Sequence, residues 1–454
     1  MTSPRRPAPL RVLRTALAAA MVVAIPVGLA LSAGASEDDA VAPGAAASPT
    51  AAVGAPSAIP STTAPSPSPS ATRVEAEPSA EASEAPEPEP GPVRFTLVAG
   101  GDVLPHGSVN ASASTGDGYD YTALMEGVRP YIEGADLALC HMEVPVAPAG
   151  TSPSTVPPFA APPELVRDLG AVGWDGCSTA SNHSVDQGAS GVAATLAAFD
   201  DALMQHAGTA RSQDEAAQTS FYAVRDGDTV IKVAHLSFTW STNGLPVSAP
   251  WEVGTVNVHA VDAAPILEAA QRARDEGADV VVASVHCCVE YEAAPTAAQR
   301  ALAAKVAESG LVDLYVGHHA HVPQPIELLP GGPAGEGMWT AYGLGNFLSS
   351  QAADCCAPAS TSGVLLAATF TVDPDGAVGV DAGWVPITVD RSSSHAMHVL
   401  TEIPQGAGHL SAAEVAARLA MVRDAVGDDA RELTAPPRHG ADHAFPLLNP
   451  APAD

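Results

Sequence analysis

Four apolar, strand-like runs in this chain each stop at groups able to bind metals or move protons. Residues 95–99 lead into Gly101-Asp102, and residues 176–179 lead into Ser181-Asn182-His183. Residues 280–285 lead into His286, and residues 311–316 into Gly317-His318-His319-Ala320-His321. Short β-branched runs separated by helix-compatible stretches read as parallel strands of an alternating α/β fold. In such folds the residues that follow the strands converge on one edge of the sheet, where ligands bind. Oxygen and imidazole donors meeting there, without a thiolate motif, suit divalent cations such as Mn²⁺, Fe²⁺ or Zn²⁺.

Only part of the 454 residues can contribute to such a fold. Residues 1–35 read as a signal peptide: Arg5, Arg6, Arg11 and Arg14 make a basic start, residues 16–31 are apolar but broken by Pro26, and Ala33-Gly34-Ala35 offers a cleavage site. The alternative is an uncleaved membrane anchor, for which the run is short. Either reading puts the bulk of the chain outside the membrane, secreted or on the extracellular face of the cell envelope. Residues 36–92 are almost only Ala, Pro, Ser, Thr, Gly and Glu, a composition that cannot bury a core, so they read as a disordered linker. The folded domain is expected over residues 93–400. The end, 401–454, with one modest amphipathic stretch at 411–426, reads as a peripheral tail.

The formal net charge of −31 argues against nucleic acid and against unassisted binding of any polyanion. The chain carries no phosphate-binding P-loop, no dinucleotide fingerprint and no Gly-x-Ser-x-Gly nucleophile turn. Its six cysteines fit an oxidising compartment. Cys140 and Cys177 lie late in two strand-like runs and are expected to face each other. A cross-link between the Cys287-Cys288 and Cys355-Cys356 pairs is the favoured arrangement for the rest.

Along the folded region the pattern predicts strands at 94–100, 136–140, 176–180, 278–285 and 311–316, with a hairpin over 221–224 and 230–238 around Asp226-Gly227-Asp228. Helices are predicted at 121–132, 163–172, 188–205, 263–276 and 295–309. Strands at 338–344, 363–372 and 378–389 make the end β-rich. The sum is two packed sheets flanked by helices.

Asp102 follows a glycine pair that lets the backbone turn, although most such pairs are plain turns. Glu143, in Cys-His-Met-Glu-Val-Pro, could bridge two cations or be an ordinary surface carboxylate. Asn182 offers a carbonyl oxygen, or a helix cap. His183 could protonate a leaving oxygen, with Asp186 orienting its imidazole. His286 ends a strand, where a lone histidine is usually structural. Three imidazoles within four positions at 318–321 rarely serve packing. In a strand-like turn His319 and His321 would point the same way and reach two adjacent ions, with His318 facing a supporting partner.

Together these segments resemble a known family. Ala99-Gly-Gly-Asp102, Met142-Glu143-Val-Pro145, Ala180-Ser-Asn-His183-Ser-Val-Asp186, Val285-His-Cys-Cys-Val-Glu-Tyr291 with Pro295 and Gln299, Val316-Gly-His-His-Ala-His-Val322 and Tyr342-Gly-Leu-Gly-Asn-Phe347 are similar to the motifs of the CapA (poly-γ-glutamate capsule synthesis) family, within the calcineurin-like metallophosphoesterases. The resemblance spans about residues 94–390. It implies an α/β chain folded as a four-layer α/β/β/α sandwich with two divalent metal ions. Asp102, Glu143, Asn182, His286, His319 and His321 match metal-ligand positions, and His183 matches the general acid. Three features differ from the pattern. The opening Asp-x-His is absent, with His106 four positions on as a substitute ligand or substrate contact. Glu143 stands where wider relatives carry Asp, and Cys-Cys replaces a Trp-Gly pair after His286. The implied activity is metal-dependent hydrolysis of a phosphoester, or of an amide, serving synthesis, export or release of an anionic polymer. Other envelope biosynthesis proteins are expected partners. The alternatives are a metal-containing surface factor that binds an envelope polymer without turnover, and a purely structural envelope protein.

Overall fold

The computed structural model describes residues 91–447, Ser393 excepted. The signal-peptide reading and almost all of the linker reading concern residues outside those described. The first fourteen strands in chain order begin with β1 (Val93–Leu104), β2 (Leu137–Met142), β3 (Gly176–Ser178), β4 (Gln205–Ala207), β5 (Ser220–Asp226), β6 (Thr229–Thr239) and β7 (Val280–His286). They continue with β8 (Leu314–His318), β9 (Ile326–Leu329), β10 (Met338–Ala341), β11 (Asn346–Ser349), β12 (Ser362–Val372), β13 (Val378–Asp390) and β14 (Ala396–Val399).

These strands build two sheets. In the first, the order is β14-β13-β12-β1-β2-β3-β4, with β11 also pairing β1 and Arg431–Glu432 pairing β13. The strands from β1 to β4 run parallel, and β12 to β14 extend the sheet antiparallel. In the second, His443–Leu447 lies beside β5, followed by β6, β7, β8, β10 and β9, and the inner strands β6, β7, β8 and β10 are parallel.

Alternation along the strands assigns each face. Phe95, Leu97 and Ala99 of β1 and Leu137 and Leu139 of β2 share one buried cluster with Val280 and Val282 of β7 and Leu314 and Val316 of β8. That cluster is the seam between the sheets. The opposite face of the first sheet, with Val98 and Ala138, packs on Leu165 and Leu169 of helix Glu164–Ala171 and on Phe199 of helix Gly188–Asp201. The outer face of the second sheet, with Val281, Ala283 and Tyr315, packs on Ile266 and Ala270 of helix Ala264–Asp275 and on Leu302 and Val306 of helix Ala297–Glu308. The order is therefore helix, sheet, sheet, helix, the four-layer α/β/β/α architecture expected. Burying β7 and β8 on both faces explains their unbroken apolar runs.

One device recurs where the parallel strands begin. Asp136, Asp175, Asp279 and Asp313 each precede a strand and donate their backbone N–H to the carbonyl of Thr96, Ala138, Lys232 and Val281, respectively. The carboxylate of each then accepts the N–H of that same residue, at 2.7, 2.8, 2.7 and 2.6 Å. A carboxylate that satisfies the neighbouring strand's first orphan donor sets the register of each pair.

Several expectations change on the structure. The Gly100-Gly101 pair is no turn: it stays within β1, at an irregularity in the register with β2. A Cβ on Gly101 would lie 2.0 Å from the Gly345 carbonyl oxygen, so glycine is needed for close backbone approach. The helix predicted over 121–132 is two short helices, Thr122–Met125 and Arg129–Glu133. It breaks beside Gly127, where a Cβ would meet the Met397 carbonyl oxygen at 2.3 Å. The helix predicted to reach 205 ends at Asp201, and Gln205–Ala207 becomes the edge strand β4.

The stretch 411–447 is not peripheral. Helix Ala412–Val426, opened by a Ser411/Glu414 capping box, buries Val415, Val422 and Val426 in the inter-sheet cluster. His443–Leu447 then adds an antiparallel strand to β5. Cys140 and Cys177 do face each other across β2 and β3, with Cα atoms 4.3 Å apart. The cross-link between the two CysCys pairs is not found: Cys287 lies sulfur to sulfur with Cys288, and Cys355 with Cys356.

Candidate metal centre

The carboxyl ends of β1, β2, β7 and β8 meet at one point, because β1–β2 and β7–β8 run parallel in two facing sheets. There two adjoining donor sets form, Asp102 with His141 and His286, and Glu143 with His319 and His321. All six side chains are buried. Within each set the ligand atoms lie within 4.8 Å of one another, compact enough to hold an ion.

Strand geometry delivers the first set. Asp102 of β1 pairs with His141 of β2, and Glu143 follows just past the end of β2. The Asp102 carboxylate accepts the backbone N–H of His319 at 3.2 Å and lies 3.1 Å from Nδ1 of His321 and 3.5 Å from Nδ1 of His318. Burial raises its pKa, but the hydrogen bonds from His318 and His321 outweigh this and hold it well below the usual carboxylate range. Nε2 of His141 faces Nδ1 of His286 over 2.8 Å, and its Nδ1 meets the Ser178 hydroxyl at 2.7 Å. Burial, reinforced by neighbouring imidazoles, pushes both histidines down, leaving neutral rings able to ligate.

The second set is built on strain and on an unmet valence. Strand β8 ends at His318, so the next residues are not extended: His319 and His321 adopt φ of +82° and +56°. Non-glycine residues held there are uncommon and cluster at functional sites. Both oxygens of Glu143 are buried without a hydrogen-bond partner, as is Nδ1 of His319. Burial raises Glu143 to about 7, with the Asp102 charge adding to it. Burial and the charge of His321 bring His319 down to about 3. His321 goes the other way: burial opposes its charge, but Glu143 and Asp102 raise it to about 10. Its Nδ1 also reaches Oδ1 of Asn346 at 3.1 Å, while its Nε2 is 3.6 Å from Glu143.

Asn182 brings Oδ1 to 2.9 Å from Nε2 of His286. Next to it, His183 holds Nδ1 at 2.8 Å from Asp186, whose carboxylate also accepts the Phe159 N–H. Burial lowers the His183 pKa, but the Asp186 bond and the Glu143 charge outweigh it and raise the group overall. With Nδ1 committed to Asp186, Nε2 is the nitrogen free to give a proton.

Two of the sequence candidates lie beside the donor sets rather than in them. His318 stacks on His141 with ring centroids 4.0 Å apart. His106 opens helix Gly107–Ala113, edge-on to Phe159, with Nδ1 3.4 Å from the Ser349 hydroxyl. The reading of residues 319–321 as a strand-like turn is corrected, since left-handed backbone aims those imidazoles. His141 and Asn346 were not among the candidates. A signal for His141 was present, for it stands two residues before Glu143 at the end of an apolar, strand-like run.

Fold and centre define an α/β sandwich with a buried carboxylate–imidazole site between its sheets. Residues 96–351 match the family described as bacterial capsule synthesis protein PGA_cap, and the chain belongs to that family. It is 26% identical over 238 residues to the capsule biosynthesis protein CapA of Bacillus anthracis, covering 52% of this chain and 55% of that protein. It is 31% identical over 188 residues to the PGA biosynthesis protein CapA of Bacillus subtilis (strain 168), covering 41% and 46%. The chain thus spans about half the length of the curated relatives it matches. A crystal structure of a calcineurin-like phosphoesterase from Bacillus subtilis aligns with a TM-score of 0.37 at 13% identity, over 65% of this chain and 90% of that one.

Proposed function

We propose that this protein is a metal-dependent hydrolase of the calcineurin-like type, acting outside the membrane on a phosphoester or amide of an anionic envelope polymer. The observation that carries the reading is Glu143, a buried carboxylate with neither oxygen hydrogen-bonded, set among five other buried ligand side chains. A buried carboxylate without a hydrogen bond is expensive to keep, and a cation is the partner its surroundings fit. Asp102, His141 and His286 would hold one ion, and Glu143, His319 and His321 a second. Asn182 adds an oxygen beside His286. When bound, divalent cations such as Mn²⁺, Fe²⁺ or Zn²⁺ supply Lewis-acid charge stabilisation and activate water.

The chain's own residues do the remainder. As water oxygen bonds to phosphorus or to the acyl carbon, the bond to the leaving oxygen or nitrogen breaks. His183 delivers the proton from Nε2 to that leaving atom, and Asp186 holds the ring in the tautomer this requires. The printed names of the relatives, capsule and PGA biosynthesis, support a polymer-linked role. The net charge of −31 makes cations in the centre the attractive element for any polyanion.

Turnover of p-nitrophenyl phosphate and of a γ-glutamyl anilide by the full chain, stripped and then reloaded with Mn²⁺ or Zn²⁺, tests this. Activity should depend on the metal, and His183→Ala should lower kcat by about 10²–10⁴-fold with metal content unchanged. Stoichiometric metal without turnover on either substrate would replace the hydrolase by a polymer-binding factor.

A further inference from the structure

The chain carries 51 acidic and 20 basic residues, yet one groove on its surface reverses that ratio. It is a space of about 450 Å³ lined by Arg94, Arg431 and Arg438, with Asp381 as its one carboxylate. Its floor is a face of the first sheet. Thr96 of β1 lies opposite Thr369 of β12, and Thr369 opposite Asp381 of β13, so all three share that face. The Thr96 and Thr369 hydroxyls are 3.4 Å apart. Arg94, two residues before Thr96 on β1, is on the same side.

Arg431 stands opposite Gly383 of β13 and reaches Asp381 at 3.9 Å, which puts it on that face as well. The remaining wall is the segment 433–440. It leaves β13 where the Leu433 N–H meets the Trp384 carbonyl at 2.8 Å. It returns to β1 where the Gly440 N–H donates to Asp136 at 2.9 Å. A Cβ on Gly440 would lie 2.5 Å from the Arg94 carbonyl oxygen, so Arg438 stands two residues from a backbone contact with Arg94.

Little offsets these cations. All three arginines are exposed, and Arg94 and Arg438 form no ion pair among the described residues. Both partners of the Arg431–Asp381 pair are 73% exposed, and such surface pairs are worth little. The charges are also spread out. Arg431 lies three strand spacings from β1, roughly 14 Å, a span that a small anion cannot bridge and an extended polyanion can. The guanidinium fork matches a carboxylate in two parallel hydrogen bonds. Arg94 precedes Asp102 by eight residues of β1, roughly 26 Å of strand, so the groove is separate from the donor sets.

We propose that this groove is a docking site for an extended polycarboxylate, laid across β1, β12 and β13 and held by Arg94, Arg431 and Arg438. The identity of the chain rests on the polymer reading above; the docking itself needs neither metal nor hydrolysis. A polymer held there raises the effective concentration of its other segments at the metal centre.

Fluorescence anisotropy of a labelled oligo-γ-glutamate, titrated at constant ionic strength with the full chain stripped of metal, tests this. Saturable binding is expected, and glutarate should compete only at far higher concentration. The triple variant Arg94→Gln with Arg431→Gln and Arg438→Gln should bind about tenfold more weakly or worse, because three exposed charge contacts go together. Circular dichroism should show its fold and Tm unchanged. Arg300→Gln, which removes an exposed arginine outside the groove, should leave affinity within a factor of about two. Glu143→Ala should bind as the parent does, so this proposal and the metal reading fail separately. Absence of saturable binding, or binding that the triple variant retains, would overturn the proposal. An equal loss in Arg300→Gln, competition by glutarate at matched concentration, or binding that appears only once metal is restored would overturn it as well.

Discussion

At the scale of single residues, Glu143 and His319 bury polar atoms that no hydrogen bond satisfies. A ligand that binds the folded state alone stabilises it, by about 2.7 kcal/mol at a hundred times its Kd. Mn²⁺ or Zn²⁺ added to stripped protein should therefore raise Tm by several degrees, and differential scanning calorimetry should find that rise lost in Asp102→Asn and in His321→Ala. Asn346 acts one step back. It holds Nδ1 of His321 and is itself held by its amide nitrogen, which donates to Gln351 and to the Ser360 carbonyl. Partners of this kind fix the ring that ligates, and losing one typically lowers affinity about 10–100-fold. Chelator competition should place Asn346→Ala in that range. The residue types were legible in the sequence, since imidazoles at 319 and 321 and a carboxylate at 102 stood out by chemistry. What aims them was not. Positive φ at two histidines is imposed by tertiary packing, and no local propensity announces it.

At the scale of elements, the aspartates that open the parallel strands carry the prediction. The Asp313 carboxylate takes both the Val281 N–H and the Arg274 guanidinium, each at 2.6 Å. Asp313→Ala removes the one oxygen that accepts both and should destabilise the domain by about 2–4 kcal/mol, measured by urea denaturation. Asp175 yields a pH-dependent outcome. Burial pushes its carboxyl up to about 7, against the pull of the Ala138 hydrogen bond. A folded-state pKa above the ordinary 3.8 means the native state binds the proton more tightly, so this group's contribution falls as pH rises from about 4 to about 7. Asp175→Asn keeps an oxygen for Ala138 and cannot ionise. It should match the parent near pH 4 and melt about 2–4 °C higher at pH 8, the shift ~1 kcal/mol produces in a domain of this size. Strand and helix types followed from apolar periodicity for the buried central strands. They failed where the chain departs from regular periodicity, as at Gly127, which lies between two short helices and passes close to the Met397 carbonyl.

At the scale of the whole molecule, the C-terminal stretch is where composition misled most. Residues 411–426 looked weakly amphipathic because their burial is shared: Val415, Val422 and Val426 fill the edge of the inter-sheet core. Residues 443–447 look unlike a strand because Pro446 stands among them, yet they occupy the sheet edge, where proline is tolerated. A chain ending at residue 400 would uncover both that core and the free edge of β5. It should be recovered largely aggregated, or unfold at least 10 °C below the full chain by circular dichroism. The two-sheet architecture itself was readable from chain order, because alternating β and α followed by a β-rich end admits few layered arrangements.

The central claim is that both donor sets hold ions. Inductively coupled plasma mass spectrometry of the purified full chain, beside Asp102→Ala with His286→Ala and, separately, Glu143→Ala with His319→Ala, tests it most directly. The account predicts close to two equivalents of divalent metal in the parent and about one fewer in each double variant. Less than a tenth of an equivalent in the parent, or a parent content that both double variants retain, would contradict it.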